Sequence, residues 1–129
     1  MTAKCPVISP KVLTPKMPFS QAIQVGKQLF ISGQVAVDAE GRLVGKGDIE
    51  AQTRQVMENI KALVEAAGGS LDDIVKTTTF VTTMKDFAKT AAVRREYFKE
   101  PYPGSTAVQV TQLVDPDYLI EIEAIAILP

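Results

Sequence analysis

The sequence predicts an α+β fold: a single domain, residues 1–129, in which two helices cover one face of a mixed sheet. Three observations predict it. Two segments, near residues 48–67 and 86–99, carry apolar side chains at helical spacing. The runs around them are rich in Val, Ile and Thr and read as strands. The last run, Tyr118 to Leu128, alternates so that its two faces differ in character. A chain of 129 residues, 46% of them hydrophobic, can bury roughly two-thirds of its unfolded surface, enough for one core. No repeat, low-complexity stretch or linker divides it.

The elements follow in order. Pro6, Pro10, Pro15 and Pro18 make the start extended and turn-forming, because each ring removes a donor and restricts its predecessor. Ala22 to Val25 and Leu29 to Ser32 flank Gly26-Lys27-Gln28, a hairpin signal, and Gln34 to Val37 continues as a strand to the turn Asp38–Gly41. Asp48 is the N-cap of the first helix and Gly68-Gly69 its stop; between them Val56, Ile60, Leu63, Val64 and Ala67 form a one-sided apolar stripe. Val75 to Thr83 is a strand. A helix follows from about Asp86 to Lys99, with Phe87, Ala91 and Phe98 on one side, and Pro101-Tyr102-Pro103-Gly104 breaks it. Two strands, Ser105 to Leu113 and Tyr118 to Leu128, finish the chain.

Two helices cannot cover both faces of such a sheet. In the terminal strand Ile120, Ile122, Ala124, Ala126 and Leu128 make an apolar face for the helices, whereas Leu119, Glu121, Glu123, Ile125 and Ile127 lie opposite. A solvated face would not end in two isoleucines, nor a buried one carry two glutamates. The mixture points to a subunit interface with a polar pocket at one end.

Composition narrows the chemistry. There are 14 basic against 15 acidic residues, which argues against a nucleic-acid-binding surface. With no histidine and one cysteine, the usual zinc sites and the Ser-His-Asp and Cys-His pairs are excluded, and no P-loop or dinucleotide fingerprint is present. Any catalysis rests on carboxylates, hydroxyls, Lys, Arg, Tyr and backbone N–H groups. No apolar run approaches the ~20 residues that cross a bilayer. Met-Thr-Ala-Lys-Cys-Pro lacks the apolar stretch of a secretory signal, and the single Cys5 cannot form an internal disulfide; the expectation is a cytosolic protein without membrane contact.

Pro103-Gly104-Ser105-Thr106-Ala107-Val108-Gln109-Val110, followed by Ile120-Glu121-Ile122-Glu123-Ala124-Ile125-Ala126, resembles the C-terminal signature of the reactive intermediate deaminase (RidA, or YjgF) family. Leu29-Phe30-Ile31-Ser32-Gly33-Gln34, the helix segment Gln52 to Ile60 and the strand Asp73 to Val81 resemble other parts of it, so the likeness covers nearly the whole chain. The resemblance implies a chorismate-mutase-like fold and a homotrimer whose sheets meet in a central barrel. It also implies clefts between subunits that bind small carboxylates, and hydrolysis of enamines and imines to 2-keto acids and ammonia without metal or cofactor. Other relatives are described as endoribonucleases, translation inhibitors or chaperone-like proteins.

Carried over by position, the family's water-positioning glutamate matches Glu121, and its Ser-Gly-Gln loop is kept as Ser32-Gly33-Gln34. Three slots depart. Ser105 stands where the deaminating branch has a carboxylate-binding arginine, Phe19 where it has a tyrosine, and Ala91 where it has an asparagine. A hydroxyl donates one neutral bond where a guanidinium gives two charge-assisted ones.

Glu121 is thus the candidate catalytic residue, against an exposed or salt-bridged strand glutamate as the plain alternative; Glu123 reads as half of an ion pair. Ser105 and Thr106 either hold an anion or cap the turn. Gly33 either lets a backbone N–H approach a ligand or makes a turn, and Phe19 is a pocket wall or ordinary core. Arg54, Arg94 and Arg95 read as solvated helix charges, with Arg42 in a loop; any of them could supply, from a neighbouring subunit, the cation missing at Ser105. Cys5 has nothing nearby to lower its pKa and does not read as a nucleophile. Two functions follow: a metal-free deaminase acting through Glu121, or a non-catalytic trimer that binds a small metabolite. A ribonuclease has less support, because the chain has no histidine for acid–base work.

Overall fold

The computed structural model describes residues 3–129. The strands are β1 (Lys4–Val7), β2 (Ala22–Val25), β3 (Gln28–Gln34), β4 (Ile74–Val81), β5 (Gly104–Gln109) and β6 (Ile120–Ile127), and the helices α1 (Ile49–Ala66) and α2 (Phe87–Tyr97). The strands form one six-stranded sheet in the order β1-β2-β3-β6-β4-β5. β4 and β5 are parallel, as a crossover through α2 requires, and the other neighbours are antiparallel. The α+β architecture is as the sequence predicts. No helix among the described residues is long and apolar enough to cross a membrane.

Local chemistry sets the elements. Gly26 takes φ 60° in the β2–β3 turn, a conformation that costs glycine nothing. The Asp48 side chain accepts from Ala51 N–H at 3.1 Å and so caps α1. The stripe Val56, Ile60, Leu63 and Val64, with Met57, is wholly buried against Ile120, Ile122, Ala124 and Ala126 of β6. α1 lies over β3 and β6, and α2 packs beside α1.

Three expectations need correction. The run Gln34 to Val37 is not a strand: β3 continues without a break to Gln34, and Val37 makes a lone bridge to Leu43. The proline-rich start contains a true strand, β1, paired with β2 at the sheet edge, where Pro6 is tolerated for want of a further neighbour. The strand read as Ser105 to Leu113 is shorter, because after Val110 N–H bonds to Val81 O (2.8 Å) the chain leaves the sheet.

The face away from the helices has the mixed character read from β6. Register puts Phe80 opposite Glu121, Thr78 opposite Glu123, and Lys76 and Phe30 on either side of Ile125. Phe30, Val108 and Ile127 are exposed there.

Candidate functional site

Glu121 sits at the start of β6 on the open face. Opposite it, β3 carries a bulge: Ile31 pairs with Ala124 but Gln34 with Ile122, so one extra residue is accommodated at Ser32-Gly33. The bulge brings Gly33 against the Glu121 carboxylate. A Cβ on Gly33 would collide with Glu121 Oε2 and lie 2.8 Å from its Cδ. Gly33 is therefore neither a turn nor a positive-φ position; its missing side chain is the space that the acid occupies. Burial first, and then the like charge of Glu123 on the same face, raise the Glu121 pKa above the ordinary carboxylate range. Such an acid can give and take a proton nearer neutrality than a solvated one.

The other residues of the Ser-Gly-Gln loop hold this geometry. Ser32 Oγ donates to the Ser20 carbonyl at 2.7 Å, and Ser32 N–H donates to Gln21 O at 3.1 Å, so the segment following Phe19 is clipped to β3. Gln34 is buried and its Nε2 donates to Ser32 O at 3.0 Å, closing the bulge. Phe19 is exposed, not core, and lines a shallow cleft of about 110 Å³ with Gly33 and Gln34.

A second cluster lies between α2 and the start of β5. Ser105 lines a cavity of about 280 Å³ together with Ala91, Arg94, Phe98 and Tyr102, near the lower end of small-ligand pockets. Arg94 corrects a sequence expectation, for it is not a solvated charge. Its Nη2 donates to Thr77 Oγ1 at 2.9 Å and its Nη1 to Thr79 Oγ1 at 3.3 Å, and its guanidinium stands 5.3 Å over the Phe98 ring. Burial lowers its pKa. The signal was in the sequence: Phe87, Ala91, Arg94 and Phe98 fall on one helical face, an arginine inside an apolar stripe.

The two clusters are on opposite faces of the sheet, with β4 between their strands. Ser105 pairs with buried Thr77 and so faces the helices, whereas Glu121 pairs with Phe80 on the open side. Thr106, next to Ser105, faces the open side and accepts from Lys76 Nζ at 2.6 Å. The other arginines stay outside: Arg54 pairs with Glu96 at 2.7 Å, Arg42 with Asp38 at 2.9 Å, and Arg95 is exposed at the cavity rim. Glu123 has no Lys or Arg within 4.0 Å among the described residues, so it is not half of an ion pair. Cys5 is exposed on β1.

Against this geometry, residues 10–128 match the family model described as Endoribonuclease L-PSP. A RutC family protein of Pyrococcus horikoshii is 54% identical over 109 residues, covering 84% of this chain and 86% of that one. A 2-iminobutanoate/2-iminopropanoate deaminase of Salmonella typhimurium is 43% identical over 113 residues, covering 85% and 87%. The crystal structure of RidA from an Antarctic Psychrobacter superposes with a TM-score of 0.89 at 41% identity, covering 95% of this chain and 98% of its own.

Proposed function

Because this chain belongs to the Endoribonuclease L-PSP family, the RidA/YjgF proteins, we propose that it hydrolyses a small 2-imino or 2-enamino acid to the 2-keto acid and ammonia, in the cytosol, with Glu121 handling the proton. The observation that carries this reading is the Glu121 carboxylate, half-buried over Gly33 with its pKa raised, in a chain similar to a 2-iminobutanoate/2-iminopropanoate deaminase. The carboxylate takes a proton from a water as the water oxygen bonds to the imine carbon. It returns that proton to the nitrogen, giving the carbinolamine; it then takes the carbinolamine hydroxyl proton and passes it to the same nitrogen, so that the C–N bond breaks, the carbonyl forms and ammonia leaves. Proton transfer by a positioned group of this kind contributes typically about 10²–10⁴-fold in rate.

The reading includes a homotrimer. One ligand cannot touch both Glu121 and the Ser105 cavity within a single chain, since they lie on opposite faces of the sheet; a neighbour's cavity set against the open face unites them. The exposed Phe30, Val108 and Ile127 of that face would be covered in the same contact. Light scattering should give three times the chain mass at micromolar concentration, and a protomer mass would remove this part of the reading.

The test of function supplies freshly generated 2-iminopropanoate and follows ammonia release. Turnover that falls by at least about 10²-fold in Glu121→Gln supports the assignment. Binding of keto acid without turnover would instead favour a metabolite-binding trimer, the reading that Ser105, Phe19 and Ala91 in the arginine, tyrosine and asparagine slots support.

A further inference from the structure

We infer that Arg94 is the group that holds the substrate carboxylate in this chain, gripping it inside the cavity that Ser105 lines; the inference rests on the proposed deaminase reading for the identity of the ligand, and on the cavity itself for the site. The guanidinium carries a full charge in a half-buried place, yet among the described residues no carboxylate lies within 4.0 Å of it. A charge withdrawn from water is normally paired. Its partners here are two neutral hydroxyls, Thr77 and Thr79 of β4, and an aromatic ring, Phe98. They occupy two of the five donors of the guanidinium fork, and Arg94 lines the cavity.

The arrangement is built for a small anion. Both terminal nitrogens are tethered and the guanidinium carbon stands 5.3 Å over the Phe98 ring, so the fork is held before a ligand arrives, which lowers the entropy lost on binding. Two small residues, Ala91 and Ser105, stand in the cavity wall. Ala91 lies three residues before Arg94 and so next to it on the helix surface. The absence of long side chains at those two positions leaves open the space into which Arg94 reaches. The remaining walls are largely apolar, with the Ser105, Thr79, Thr90 and Tyr102 hydroxyls as the neutral polar groups and the exposed Arg95 at the rim. A compact 2-oxo or 2-imino carboxylate meets each of these features: its charge faces the fork, its short chain the apolar wall.

The experiment is calorimetric titration of the purified protein with 2-oxobutanoate, a keto acid of the expected product class. Wild-type protein should bind it, and 2-butanone, in which a methyl group replaces the carboxylate, should not compete. Arg94→Lys keeps the charge but loses the fork and should weaken binding about 10-fold; Arg94→Gln should weaken it about 30-fold or more, the scale of truncating one partner of a buried charge pair. If Arg94→Gln does not fold, Arg94→Lys carries the test, with its melting curve recorded. An Arg94→Lys protein that melts like wild type and binds 2-oxobutanoate unchanged overturns the inference, as does wild-type protein that takes up none. Titration reads the clamp without turnover. Failure of the clamp with ammonia release intact leaves the deaminase reading standing, whereas Arg94-dependent binding with no ammonia release overturns that reading and leaves the clamp.

Discussion

The Glu121 carboxylate on β6 occupies the volume that a side chain at Gly33 on β3 would need, with a Cβ there 2.8 Å from Glu121 Cδ. Glycine at this bulge is thus a condition for the acid's position and not for the strand's conformation, since Gly33 has no positive φ. Gly33→Ala should displace the flexible carboxylate end and lower ammonia release about 10-fold or more, while the melting temperature shifts by only a few degrees. Unchanged kinetics in a folded Gly33→Ala protein would show that the acid's position does not matter.

The raised pKa of Glu121 has a sign that stability can report. A carboxyl whose folded pKa lies above its unfolded value of about 4.3 contributes fully below that value and loses its contribution as pH rises through the folded pKa. Glu121→Gln removes this penalty. Its melting temperature relative to wild type should therefore be more favourable at pH 7 than at pH 4, in the same buffer series. The opposite ordering would mean that the folded protein stabilises the ionised acid.

Gln52 ties the start of β6, and with it Glu121, to α1. It is wholly buried; its Nε2 donates to Gly45 O at 3.2 Å and Asp117 O at 2.9 Å, and its Oε1 accepts from Leu119 N–H at 2.8 Å. Gln52→Leu leaves three partly buried backbone groups, Gly45 O, Asp117 O and Leu119 N–H, without this partner; at about 1 kcal/mol each, the low end for an unpaired group, a loss of about 3 kcal/mol is expected in urea denaturation. A change below about 1 kcal/mol would show that the loop re-pairs by itself.

A cation on either wall of the cavity should serve the same ligand. In an Arg94→Gln background, Ser105→Arg should restore most of the affinity for 2-oxobutanoate that the first change removes. A double variant that binds no better than Arg94→Gln would show that the two positions do not address one anion.

Sequence reasoning reached the α+β class, both helices and the sorting of β6 into helix-facing and open residues, because a side-chain period is a local property that survives any tertiary arrangement. Motif likeness also singled out Glu121 and the Ser-Gly-Gln loop as candidates, and the fold sets Gly33 against the Glu121 carboxylate. It missed β1, because proline content argues against a strand unless one knows that the strand lies at an edge. It misread Arg94, because a charge on a helix is normally solvated, and only the packing of α2 over β4 shows that this one lies against Thr77, Thr79 and Phe98.

What the sequence alone determined is the set of side chains that any chemistry must draw on: no histidine, one cysteine, and an acid within an alternating strand. Tertiary structure decided where that chemistry is placed. The register shift between β3 and β6 removes one residue from the pairing and sets Gly33 beneath Glu121, and the crossover through α2 puts Ser105 and Arg94 on the other side of the sheet. Neither follows from residue order, because bulges and crossovers are fixed by long-range pairing, whose energy depends on residues far apart in the chain.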